Sequence, residues 1–172
     1  AVSFVYSNGI MRGYQDEDHL GTFGPDDATS RSQLAQILYN LAGAPETDAS
    51  YADSYVDCVP GAWYMSAISW ATQQGLMSGY DDGTNRFDPD AALTREQLAV
   101  VLWRAAGKPS TSESLDNFSD SAQTSPWAVE AMEWAVSVGL FQGYDNTDIL
   151  NPSGVLTRAQ MAMVLYRQNQ MS

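Results

Sequence analysis

Arginines that could hold an anion stand at regular places in this sequence. Arg31, Arg95 and Arg158 occur in Ser30-Arg31-Ser32-Gln33, Thr94-Arg95-Glu96-Gln97 and Thr157-Arg158-Ala159-Gln160. Arg104 and Arg167 follow nine residues later, where the first copy has Asn40. These five are most of the 8 Lys and Arg in the chain, so their placement is informative. A Ser or Thr with Gln three residues on is a capping box, which puts each of the first three arginines just inside a helix N-terminus. A cation there opposes the helix dipole, at a cost of about 0.3–1 kcal/mol when exposed. Three repetitions of that cost imply a compensating anion. Free N–H groups at a helix start together with a guanidinium fork suit a carboxylate ligand. The alternative is an internal pair with Asp53, Asp120 or a loop Asp that ties the repeats together.

Aromatic residues form the second constellation. Trp63 and Trp127 stand at predicted helix starts, and Trp70 and Trp134 follow seven residues later. The later pair is expected in the core. The earlier pair suits either the wall of a sugar groove or ordinary packing. Tyr14, Tyr80 and Tyr144 are expected to pack on turns. Asp81-Asp82-Gly83-Thr84-Asn85 resembles half of a calcium loop. It has Arg86 and Ala92 where such a loop needs Gly and Glu, and Asx turns explain it more simply. Cys58 and His19 are each the sole residue of their type, too little for a Cys–His nucleophile or a cysteine-rich zinc site. No metal, cofactor or catalytic group is expected. No unrepeated carboxylate pair stands out either, and function in a repeated chain belongs at repeated positions.

The elements that must position these residues come in three copies. Gly9-Ile10-Met11-Arg12-Gly13-Tyr14 recurs as Gly75-Leu76-Met77-Ser78-Gly79-Tyr80 and Gly139-Leu140-Phe141-Gln142-Gly143-Tyr144. Each is followed by an Asp-rich loop with Pro25, Pro89 or Pro152, and then by the capping box. Upstream, Trp63, Ala67, Ile68, Trp70 and Ala71 have helical spacing, as do Trp127, Ala131, Met132, Trp134 and Ala135. Gly75 and Gly139 read as helix C-terminal caps. Downstream, Leu34, Ile37, Leu38 and Leu41, then Leu98, Val101, Leu102 and Ala105, then Met161, Val164 and Leu165 form apolar stripes. One helical hairpin cannot bury such a stripe; three meeting around an axis can. The expected fold is mainly α: a pseudo-threefold trimer of helical-hairpin repeats around a central three-helix bundle, with repeats at 1–47, 48–109 and 110–172. Tyr51-Ala52-Asp53 and Phe118-Ser119-Asp120 are expected to open the second and third copies. The first copy enters mid-helix, as expected for a piece of a longer protein.

Composition bounds the partners. The net charge is −13, with 21 Asp and Glu. Nucleic acids and anionic membranes call for a basic field, so neither is expected to bind, and no apolar run is long enough to cross a membrane. Charge of this sign also repels an anionic polymer at long range, but salt confines that to about 8–10 Å, so an arginine pocket can still win at short range.

These linked motifs resemble S-layer homology domains. The family pattern runs from aromatic-x-Asp through a Trp-led helix and Gly-apolar-apolar-x-Gly-Tyr-x-Asp-Gly-Thr-x-Phe-x-Pro to Thr-Arg-Ala-Glu. The second copy matches through Tyr51-Ala52-Asp53, Trp63, Gly79 to Thr84, Phe87-Asp88-Pro89 and Thr94 to Gln97. Gln33, Gln97 and Gln160 replace the usual Glu, the first copy has Ser30-Arg31-Ser32 and a longer loop, and the third lacks Asp-Gly-Thr. The resemblance implies non-covalent anchoring of a bacterial surface protein to secondary cell-wall polysaccharide, anionic and pyruvylated, in grooves between repeats outside the cell. The site residues it implies are Arg31, Arg95, Arg158, Trp63, Trp127, Gly79 and Gly143, with Arg95 the leading one. The alternative is a protein-interaction module of the cell surface built on the same fold.

Overall fold

The computed structural model describes residues 1–14, 18, 20–144 and 147–170. His19, most of the acidic stretch around it, and Asp145 and Asn146 lie outside the described residues. Among the described residues, seven α-helices carry the fold: α1 (Val2–Ser7), α2 (Arg31–Leu41), α3 (Ser50–Asp53), α4 (Met65–Gln73), α5 (Arg95–Ala105), α6 (Val129–Ser137) and α7 (Arg158–Gln170). Among the described residues there is no β-sheet, only three isolated bridges.

Local chemistry fixes the helix ends. The capping boxes form as the sequence predicts. Ser30 and Thr94 side chains accept from the Gln33 and Gln97 N–H groups, and each Gln side chain accepts from the cap's N–H. Thr157 and Gln160 make the same pair of bonds at α7. Gly75 and Gly139 adopt φ of +66° and +74°, the left-handed conformation that ends α4 and α6 where a side chain would be strained.

Helices pack across repeat boundaries. α2 packs on α4, α5 on α6, and α7 returns to α1. Each capping-box helix thus packs its stripe against the first helix of the next copy, with Leu41 and Ala105, expected in the stripes, left exposed at their ends. Among the described residues, no Cα of α2, α5 or α7 comes within 8 Å of another of these three helices. The coarse expectation, a mainly helical chain of three repeats, is what the structure has. The ring of pairwise helix contacts was not in the periodicity.

Where the copies meet, three extended segments bridge one another: Ala28 with Thr157, Ser30 with Ala92, and Thr94 with Val155. Their backbones close a ring of hydrogen bonds. Thr29 N–H donates to Leu156 O (2.8 Å), Leu156 N–H to Leu93 O (2.9 Å), and Leu93 N–H to Thr29 O (2.8 Å). All three residues are fully buried. Two are leucines, but Thr29 places a hydroxyl there that has no hydrogen-bond partner among the described residues. A buried unpaired hydroxyl is destabilising, and an apolar group of the same shape removes the penalty. Thr29→Val is therefore expected to stabilise the chain by about 1 kcal/mol, or ~3 °C in Tm. Thermal unfolding checks this; a lower Tm would mean that the hydroxyl is paired.

Three composite grooves

The helix starts that looked free are occupied. Arg31 and Ser32 N–H groups donate to Ala91 and Pro89 carbonyls at 3.0 and 2.9 Å. Arg95 and Glu96 donate to Gly154 and Pro152, and Arg158 and Ala159 to Asp27 and Pro25. Each proline loop thus caps the helix of the preceding copy, in a closed cycle. The expectation of helix N–H groups open to a carboxylate ligand is corrected: backbone oxygens of the neighbouring repeat already satisfy them.

The three arginines follow the same cycle. They are only 5–7% exposed. Arg31 reaches the second repeat, where Nε donates to Phe87 O (2.8 Å) and Nη2 to Ser78 O (2.8 Å). Arg95 reaches the third, with Nε to Leu150 O (2.8 Å) and Nη2 to Gln142 O (3.3 Å). Arg158 returns to the first, with Nε to Phe23 O and Nη2 to Arg12 O, both at 2.7 Å. Aromatic rings cover each guanidinium: Tyr80 and Phe87 over Arg31, Phe141 and Tyr144 over Arg95, Tyr14 and Phe23 over Arg158, at 4.5 to 5.5 Å. The three tyrosines thus cover arginines as well as turns. Burial pulls the Arg31 and Arg95 guanidinium groups below their ordinary values, partly offset by Tyr80 and Tyr144 respectively. Each guanidinium bonds to a pair of carbonyl dipoles, and among the described residues none of the three forms the internal ion pair weighed as the alternative. Among the described residues, Nη1 of each makes no hydrogen bond, and each arginine lines a cavity.

Carboxylates support two of these staples from behind. Asp57 accepts from Phe87 and Asp88 N–H groups at 2.9 and 2.8 Å; Asp120 accepts from Leu150 and Asn151, both at 2.7 Å. The peptide joining Phe87 to Asp88 therefore links Asp57, through its N–H, to Arg31, through its C=O. The peptide joining Leu150 to Asn151 links Asp120 to Arg95 in the same way. Chains of this kind polarise and strengthen their members. Burial works against charge on Asp57, but the two N–H donors and Arg86 hold its carboxyl below its ordinary value. The counterpart of Phe118-Ser119-Asp120 is thus Tyr55-Val56-Asp57. Tyr51-Ala52-Asp53, which the sequence suggested, lies within the four-residue α3, with Asp53 exposed.

The first and second grooves take parts from three repeats, and the third from two. The second is lined by Ser78, Gly79 and Tyr80 of the glycine turn and by Gln97, Val101 and Arg104 of α5, together with Arg31 from the first repeat and Trp127 from the third. Its volume is about 300 Å³. The first groove, of about 140 Å³, joins its own turn and α2 to Trp63 of the second repeat and Arg158 of the third. The third, of about 150 Å³, joins Gly143, Tyr144 and Arg167 to Arg95. All seven expected residues fall in these grooves, but each arginine serves the groove of the repeat after its own. Trp63 and Trp127 are 61% and 57% exposed and stand in the turns before α4 and α6. Trp134 is buried and Trp70 packs against the core, as expected.

The S-layer homology domain pattern matches residues 1–35, 47–99 and 117–162. The chain belongs to the S-layer homology family. It is 32% identical over 167 residues to cell surface glycoprotein 1 of Acetivibrio thermocellus, covering 91% of this chain and 7% of that one. It is 30% identical to the surface-layer 125 kDa protein of Lysinibacillus sphaericus, covering 97% and 14%. It is 29% identical to the cellulosome-anchoring protein of Acetivibrio thermocellus, covering 92% and 35%. The chain therefore spans about a third or less of the length of these relatives.

In these S-layer homology repeats the second glycine of each turn permits a close crossing. A Cβ on Gly79 would stand 2.6 Å from Arg86 O and 2.8 Å from the Tyr55 ring, and one on Gly143 would overlap Thr147 O. Arg104 and Arg167 place Nη1 on the turn carbonyls of Leu76 and Leu140 at 3.2 and 3.0 Å. Each keeps part of its guanidinium for the cavity it lines. In the first repeat Asn40 takes this place and accepts from Gln36. Cys58 is buried, which, with Asp57 and Asp53 nearby, pushes its thiol up to about 11, so it is no nucleophile at neutral pH.

Proposed function

We infer that this chain is the wall-anchoring unit of a bacterial cell-surface protein, a binding module and not an enzyme. Its three repeats are related by a pseudo-threefold axis through the Thr29, Leu93 and Leu156 ring, with α2, α5 and α7 as the inner helices. The partner is an anionic secondary cell-wall polysaccharide carrying pyruvyl ketals. One observation carries this reading: in the second groove an exposed indole, Trp127, and a partly committed guanidinium, Arg104, face the same cavity beside Arg31. An indole face suits the apolar face of a sugar ring, and a guanidinium edge suits a ketal carboxylate. The names of the relatives agree with a place at the cell surface.

The arginine set divides accordingly. Arg31, Arg95 and Arg158 hold the grooves together and offer only Nη1 to a ligand; Arg104 and Arg167 supply the accessible charge. A second reading, a protein-docking module, draws on the stapled arginines, which hold repeats whether or not a glycan binds. Purified wall polysaccharide and a soluble pyruvylated sugar separate the two. Wall binding that the sugar displaces, and that Arg104→Gln weakens, supports the anchoring reading. Binding indifferent to the sugar favours protein docking.

A further inference from the structure

The two grooves lined by a tryptophan differ in how that residue is held. Glu96 lies in the first turn of α5 and is buried. Its Oε2 accepts from the Ser125 N–H and its Oε1 from the Ser125 hydroxyl, both at 2.9 Å. Ser125 in turn accepts from the Ala128 N–H at 2.8 Å. The turn that carries Trp127 is thus closed on itself and gripped at its first residue, and Pro126 restricts the backbone between. Among the described residues, no such grip exists in the other copies. Ser32 stands at the corresponding place in α2, and its hydroxyl meets that of Ser30 at 3.0 Å. Ala159 stands there in α7 and has no polar side chain. The turn before Trp63 instead runs through Gly61 at φ +80°.

We propose that Glu96 is a positioning residue that fixes Trp127 as a preformed wall of the second groove, making this groove the preorganised one of the three. The proposal rests on the reading of that groove as a saccharide site. A carboxylate with both oxygens on one serine makes two charge-assisted bonds. Holding the indole before ligand arrives removes an ordering cost from binding. Glu96 touches no ligand; it acts through Ser125 on the residue that does.

The test labels the chain with 5-fluorotryptophan and assigns the Trp127 resonance with Trp127→Phe. In Glu96→Ala the Trp127 signal is expected to shift and broaden while those of Trp63, Trp70, Trp103 and Trp134 hold. In Glu96→Gln, which keeps an oxygen for the Ser125 N–H, it stays near its original position. Affinity for purified wall polysaccharide is expected to fall about tenfold in Glu96→Ala, equivalent to ~1.4 kcal/mol. A Trp127 signal unmoved in folded Glu96→Ala overturns the proposal. If that variant does not fold, Glu96→Asp, which withdraws the carboxylate by one methylene, is read in the same way. If the unaltered chain fails to bind the polysaccharide, the saccharide reading falls, while the resonance still judges the grip.

Discussion

Replacing Arg31 by alanine is expected to lower the stability of the chain by roughly 2–6 kcal/mol and its Tm by about 10 °C. The Phe87 and Ser78 carbonyls lose their guanidinium donors. An acceptor left unpaired in a buried place carries a penalty of about 1–3 kcal/mol, so two account for the range. The Tyr80 and Phe87 rings lose the cation between them as well, and neighbouring groups can collapse into only part of the space. Lysine should not rescue, because one ammonium on a flexible stem cannot reproduce a planar fork that reaches two carbonyls at once. The penalty falls on a junction between repeats, so loss of stability in Arg31→Ala should come before any measured loss of binding. Urea unfolding with and without wall polysaccharide separates the two. A change below about 1 kcal/mol would mean that water replaces the guanidinium without loss.

This result bears on how the three motif arginines are read. From the sequence, their position at helix starts called for an anion, and a ligand carboxylate or an internal Asp were the two candidates. Among the described residues, the structure places no carboxylate in an ion pair with these arginines. The counter-charge comes from backbone carbonyls, with Asp57 and Asp120 one peptide further back. Carbonyls carry no sequence signature, since every residue has one. That is why the capping boxes, glycine caps and buried Trp134 were legible while the destination of each guanidinium was not. The boxes need only a Ser or Thr and a Gln three residues apart; the staples need the fold.

The same limit explains the cyclic offset. The sequence implies grooves between repeats but does not say which arginine meets which glycine turn and tryptophan. The structure pairs Arg31 with Gly79 and Trp127, and sends Arg95 to Gly143. One signal could have improved the reading. Asp120 precedes Trp127 by seven residues and Asp57 precedes Trp63 by six, each with an aromatic residue two places before the Asp. Tyr51-Ala52-Asp53 has the same local pattern but sits too far upstream for its carboxylate to meet the proline loop. Distance to the tryptophan, rather than the tripeptide, marks the residue that caps it.

Trp127→Ala is expected to weaken binding to wall polysaccharide on the order of 10- to 100-fold, with stability within about 1 kcal/mol of the unaltered chain. The indole is more than half exposed, so little of the fold depends on it. It also lines the second groove, where its indole face offers a flat apolar surface for a sugar ring to stack on. Trp63→Ala should cost less, because the first groove has Asn40 where the second has Arg104, and about half the volume. Salt separates these contributions. If Arg104 meets a carboxylate, the second groove's share of the affinity falls as ionic strength rises, while stacking on Trp63 persists. Measured across salt concentrations, Trp127→Ala should therefore have a shallower salt dependence than Trp63→Ala. A folded Trp127→Ala protein that still binds polysaccharide like the unaltered chain would remove the second groove from the anchoring surface.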